Sequence, residues 1–102
     1  MTYKLYFMFQ KDSGKFDAES LREYVKWVLP QLGGNCLAHG VELADLINTQ
    51  VIFDFQYKAI IWYEFKDRNI CFDSFKPNFV EILDKMMEVT DVPPQIHGTY
   101  AD

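Results

Sequence analysis

Apolar and polar residues alternate over residues 2–10: Tyr3, Leu5, Phe7 and Phe9 fall on one side, and Lys4, Tyr6, Met8 and Gln10 on the other. A period of two predicts a strand with one buried face. The polar stretch Lys11-Asp12-Ser13-Gly14-Lys15 then turns the chain. Beyond it the period lengthens, and Leu21, Tyr24, Val25, Val28 and Leu32 recur at helical spacing. Asp17 stands where a helix cap is needed, while Pro30 and Gly33-Gly34-Asn35 end the run, which predicts a helix over residues 18–31.

Leu43, Leu46 and Ile47 predict a short helix over residues 41–47. β-branched and aromatic residues dominate Val51–Phe55, Ala59–Phe65 and Asn69–Asp73, predicting three further strands joined as an antiparallel meander. Pro77 suits a first helical turn, and Phe79, Ile82, Leu83 and Met86 predict the inner stripe of a second long helix ending near Thr90. Asp91-Val92-Pro93-Pro94 cannot continue it, and the tail over residues 93–102 is expected to lie loosely on the surface. The elements add up to a single α+β domain, residues 1–102, with a mostly antiparallel four-stranded sheet and helices packed on one face.

Strand alternation predicts that the other sheet face is apolar and acidic together. It sends Tyr6, Met8, Ile52, Ile60 and Trp62 outward with Asp54, Glu64, Cys71 and Asp73. A patch that apolar needs a cover, and a second copy of the chain, forming a homodimer through this face, is one expected cover.

Composition adds a sign to this surface. The 102 residues carry a net charge of −5, and 17% are aromatic. No Lys or Arg occurs from Trp27 through Tyr57, where Glu42, Asp45 and Asp54 stand, nor from Met86 to the end, where Glu88, Asp91 and Asp102 stand. Glu81, Asp84, Glu88 and Asp91 recur at helical spacing as one acidic stripe. Such a surface repels phosphates, so direct nucleic-acid binding is not expected. The longest apolar runs are too short to span a bilayer, and the N-terminal residues lack a secretory signal, which predicts a cytoplasmic protein not bound to membrane.

Catalytic spacing is harder to find. Cys36 and His39 form a C-x-x-H pair, but Cys71 and His97 lie far apart in sequence, so neither a metal site nor a cofactor is expected. Asp54, Glu64 and Asp73 could meet as a carboxylate trio, yet no Gly-rich loop or nucleophile motif accompanies them. The expectation is therefore a binding protein and not an enzyme. Its partner-binding residues are Glu42, Asp45, Asp54, Trp62, Glu64, Glu81, Asp84, Glu88 and Asp91, with Trp62 as the anchor and carboxylates steering a basic partner. In composition alone the chain resembles small bacterial immunity proteins, which implies an inhibitor of a basic toxin such as a nuclease. The alternatives are a homo-oligomeric structural or adaptor domain, a phage-type inhibitor of a host nucleic-acid enzyme, and a small enzyme.

Overall fold

The computed structural model describes residues 1–11, 16–43 and 57–101. Strand β1 (Thr2–Gln10) buries Tyr3, Leu5, Phe7 and Phe9 on one face, as its alternation predicts. Helix α1 (Ala18–Gln31) starts at Asp17, whose carboxylate accepts the Glu19 N–H at 3.2 Å. It stops where Gly33 and Gly34 adopt positive φ, a conformation that costs little only without a Cβ. Its buried stripe is Leu21, Tyr24, Val25 and Val28.

Strand β2 (Ala38–Leu43) replaces the short helix expected over residues 41–47, of which 44–47 lie outside the described residues. Pairing decides this: β2 ladders onto β3 (Tyr57–Phe65), with Gly40 opposite Trp62 and Val41 opposite Ile61. The expected strand Val51–Phe55, with Asp54 in it, also lies outside the described residues.

Residues 69–73 are helix, not strand. Helix α2 (Arg68–Phe75) is capped by Asp67, whose carboxylate accepts the Ile70 N–H at 2.9 Å. Its buried positions Cys71, Ser74 and Phe75 follow helical spacing, and this overrides the strand propensity of Ile70-Cys71-Phe72. Cys71 is therefore core under the helices, and Asp73 is exposed on α2; neither is on the open sheet face. At Lys76–Asn78 the chain tightens into a 3₁₀ turn around Pro77 before helix α3 (Phe79–Met86), so the long helix expected from Pro77 to near Thr90 is a 3₁₀ turn followed by one eight-residue helix that ends at Met86.

The tail is not loose. Gln95–Ala101 forms strand β4, antiparallel to β1. Its apolar signal is thin because its central inward position is Gly98, where a Cβ would collide with the Tyr3 ring. The Tyr3 side chain fills the volume that a β4 side chain would otherwise occupy.

The sheet order is β2-β3-β1-β4, with every neighbour antiparallel. The α+β class holds, but β1 sits inside the sheet, so the strands do not follow one another as a meander. Helices α1, α2 and α3 cover one face, over a core of Phe7, Phe9, Ile61, Tyr63, Phe65, Leu21 and Ile82. No helix among the described residues is long and apolar enough to cross a membrane.

Candidate functional site

On the helix side, β1 and the edge strand β4 are only partly roofed. A cleft of about 530 Å³ remains there, within the 300–1,000 Å³ usual for small-molecule sites. Leu5 and Phe7 form its floor, with Ile96 of β4 at the outer edge. Phe72 and Phe75 of α2 and Phe79 and Val80 of α3 form the roof, and Lys76 of the 3₁₀ turn is the one charged side chain among the described lining residues.

The inner wall is an aromatic lattice. Phe75 lies 6.1 Å from Phe7, 5.8 Å from Tyr63 and 5.9 Å from Phe65, ring centre to ring centre. The Tyr63 and Phe65 contacts are edge-to-face and the Phe7 contact is tilted; rings packed in this way hold one another in fixed orientations, so the Phe75 side of the cleft is preformed. Tyr3 packs behind Phe72, edge-to-face with it at 6.0 Å and with Tyr100 at 5.1 Å. The rim is wet: Phe72, Phe79, Val80 and Ile96 are all exposed, Val80 at 70%. The described lining, apolar and aromatic with a single charged group, is the usual make-up of a small-molecule site.

Behind the wall stand polar groups that the cleft does not reach. The Tyr24 hydroxyl donates to the Ile82 carbonyl at 2.9 Å, whereas the buried Tyr63 hydroxyl has no hydrogen-bond partner among the described residues. Burial holds both phenols well above the ordinary tyrosine pKa, and they stay protonated at neutral pH. Burial likewise pushes the Cys71 thiol up to about 12 and raises that of Cys36, which makes both poor nucleophiles. An orphaned hydroxyl costs desolvation without return. Tyr63→Phe is therefore expected to leave stability unchanged or raise it by about 1 kcal/mol, read as a urea midpoint. A loss of that size would instead reveal a partner for the hydroxyl.

The residues expected to form a binding surface fall into two groups on opposite sides. Glu42, Trp62 and Glu64 share the open sheet face with Lys4, Tyr6, Met8, Ile60 and His97, as the register requires. There the Trp62 indole lies across Gly40, where a Cβ would come within 2.5 Å of it, and the Lys4 ammonium sits 4.6 Å from its ring centre. Glu81, Asp84, Glu88 and Asp91 are exposed on the far side, along α3 and just beyond it. Glu88 also borders a groove of about 340 Å³ between α1 and α3, where Lys85 packs 5.3 Å from the Trp27 ring and 3.9 Å from the Glu88 carboxylate. Asp45 and Asp54 lie outside the described residues.

The carboxylate trio is not assembled, since Glu64 is on the open face and Asp73 on the helix side. Cys71 and His97 are likewise divided by the sheet. Sequence reasoning missed the cleft altogether, although Phe72, Phe75 and Phe79 are spaced three and four apart. Read as helix, that spacing marks one continuous aromatic stripe.

A split pair of β-α-β units with the sheet order 2-3-1-4 leaves one fold to name. The fold is ferredoxin-like. Solved ferredoxin-like structures match it over nearly the whole chain. An ethd-like protein from Ralstonia eutropha matches at a TM-score of 0.77 and 18% identity, covering 96% of this chain and 89% of that one. SnoaB, a cofactor-independent oxygenase from Streptomyces nogalater, matches at 0.64 and 8%, covering 99% and 91%. A dimeric ferredoxin-like protein of unknown function from Thermobifida fusca matches at 0.59 and 6%, covering 98% and 90%. No protein-family model matches the chain, and no curated protein matches it in sequence.

These likenesses correct two expectations. The ferredoxin-like chain has the fold of ethd-like proteins and of an oxygenase, and the expected immunity-type inhibitor finds no counterpart among them. The inference that a chain lacking catalytic spacing is not an enzyme also fails. An oxygenase that uses no cofactor is built on this same fold, and such chemistry needs neither metal-ligand spacing nor a Gly-rich loop.

Proposed function

We propose that this protein is a small enzyme that holds an apolar, ring-bearing molecule in the helix-side cleft and oxidises it with O₂, without a bound cofactor. The observation that carries this reading is the cleft itself, a largely preformed aromatic pocket open to solvent on a fold known to host such chemistry. In this reading the substrate, a hydroxyarene, supplies all four electrons that O₂ takes up: one oxygen atom enters the ring as a quinone carbonyl, and the other leaves as water with the two hydrogens that the substrate loses. The protein contributes orientation and stabilisation of developing charge. Chelator-treated protein, assayed with an oxygen electrode against electron-rich hydroxyarenes, should accelerate O₂ uptake above the buffer rate, with loss of substrate absorbance in step. Uptake that vanishes with the chelator, or never exceeds buffer across the panel, contradicts it.

A second copy of the chain is the proposed cover of the open sheet face. Tyr6, Met8, Ile60 and Trp62 supply a half-buried apolar centre, and Lys4, Glu42 and Glu64 place both charge signs around it, so two copies can match opposite charges. One fold neighbour is dimeric, which supports the same reading. Sedimentation should give twice the 12.0 kDa chain mass; a strict monomer at micromolar concentration would refute it. The free thiols of Cys36 and Cys71 suit a reducing compartment, which favours the cytoplasm as the proposed location.

A further inference from the structure

We propose that the molecule taken by the helix-side cleft is an anion, a ring system bearing a carboxylate or ring-oxide oxygen, and that Lys76 is the positioning residue that receives its charge. This rests on the reading of the cleft as the substrate site. Apolar burial is non-directional, so the phenylalanine walls set how strongly a flat molecule binds but not which end enters first. Orientation in such pockets comes from a few placed polar groups. Lys76 is the charged side chain that the described lining supplies.

Its position is set by the backbone. Lys76 opens the 3₁₀ turn joining α2 to α3, and Pro77 after it fixes the turn, so the lysine stem leaves the chain between the Phe72–Phe75 and Phe79–Val80 walls. Lys76 borders the cleft with its side chain largely in water, where a flexible lysine stem can bring the ammonium to a charged group on a bound molecule. The ammonium is only weakly engaged. Among the described residues its ion-pair partner is Asp73 at 3.7 Å, and both side chains are about three-quarters exposed, at 76% and 73%. An ion pair so open contributes little, and an anion whose rings are held by the cleft competes well with it. Asp73 opposes the ligand's charge, and its removal should tighten binding.

Two probes with the same rings separate charge from shape: 2-naphthoate and the neutral 2-naphthalenemethanol, titrated calorimetrically at low salt. The wild-type protein should bind the carboxylate about five- to tenfold more tightly, a margin that shrinks as salt is added. Lys76→Met should erase the margin and leave the alcohol's affinity within about twofold, Lys76→Arg should retain it, and Asp73→Asn should widen it. Equal affinities in the wild-type protein, or a Lys76→Met variant that weakens both probes alike, would overturn the proposal while leaving the cleft as the site. Binding of neither probe would overturn the cleft reading along with it.

Discussion

Phe7→Ala is expected to destabilise the protein by about 3–5 kcal/mol, a large share of the roughly 5–15 kcal/mol that holds a domain of this size together. Phe7 is at the centre of β1, 1% exposed, with Ile61 and Ile96 as its register partners on either side. Its ring meets Tyr63 edge-on at 6.0 Å and Phe75 at 6.1 Å. Removing the ring takes away transfer energy and leaves a void that the neighbouring rings cannot close without abandoning their own contacts. Phe7 is also the cleft floor, so the void would join the cleft to the core. Denaturant titration followed by circular dichroism reads the effect. A loss below about 1 kcal/mol would show that β1 does not carry the core.

The second large effect is on binding. Ile96 is 49% exposed on an edge strand, so Ile96→Glu should cost only about 1 kcal/mol or less of stability, within the span of strand propensities. At the cleft edge, however, a carboxylate replaces an apolar wall, and a bound neutral ring would have to desolvate it. The affinity for 2-naphthalenemethanol is expected to fall at least tenfold, read by calorimetry on protein with an unchanged circular dichroism spectrum. An unchanged affinity would place the ligand elsewhere.

Sequence reading succeeds where a signal is local and fails where two distant elements share one volume. β1, α1 with its Asp17 cap, and β3 were legible because each carries several turns or pleats of one period. Residues 69–73 were misleading because Ile70-Cys71-Phe72 has strand composition, while the deciding features, the Asp67 cap and the pattern of Cys71, Ser74 and Phe75, take a longer window to see. β4 was hidden by Gly98, whose missing side chain is supplied by Tyr3 from β1, far away in sequence. Strand order is not a local property either, since nothing in residues 2–10 says that β1 will pair on both edges. The cleft suffered from both problems. Its rim residues Phe72, Phe79, Val80 and Ile96 come from α2, α3 and β4, of which α2 carries strand composition over residues 69–73 and β4 only a thin apolar signal. The open face, by contrast, was legible in Tyr6, Met8, Ile60 and Trp62, because alternation alone places them.

The central claim is that the small-molecule site lies between the helices and β1–β4, not on the open sheet face. A two-dimensional NMR titration with 2-naphthoate tests it most directly, because the naphthalene ring current shifts only nearby nuclei. The shifts should gather on Leu5, Phe72, Phe79, Val80 and Ile96 and leave Ile60 and Trp62 in place. Shifts centred on Ile60 and Trp62, or none at a saturating probe concentration, would contradict the account.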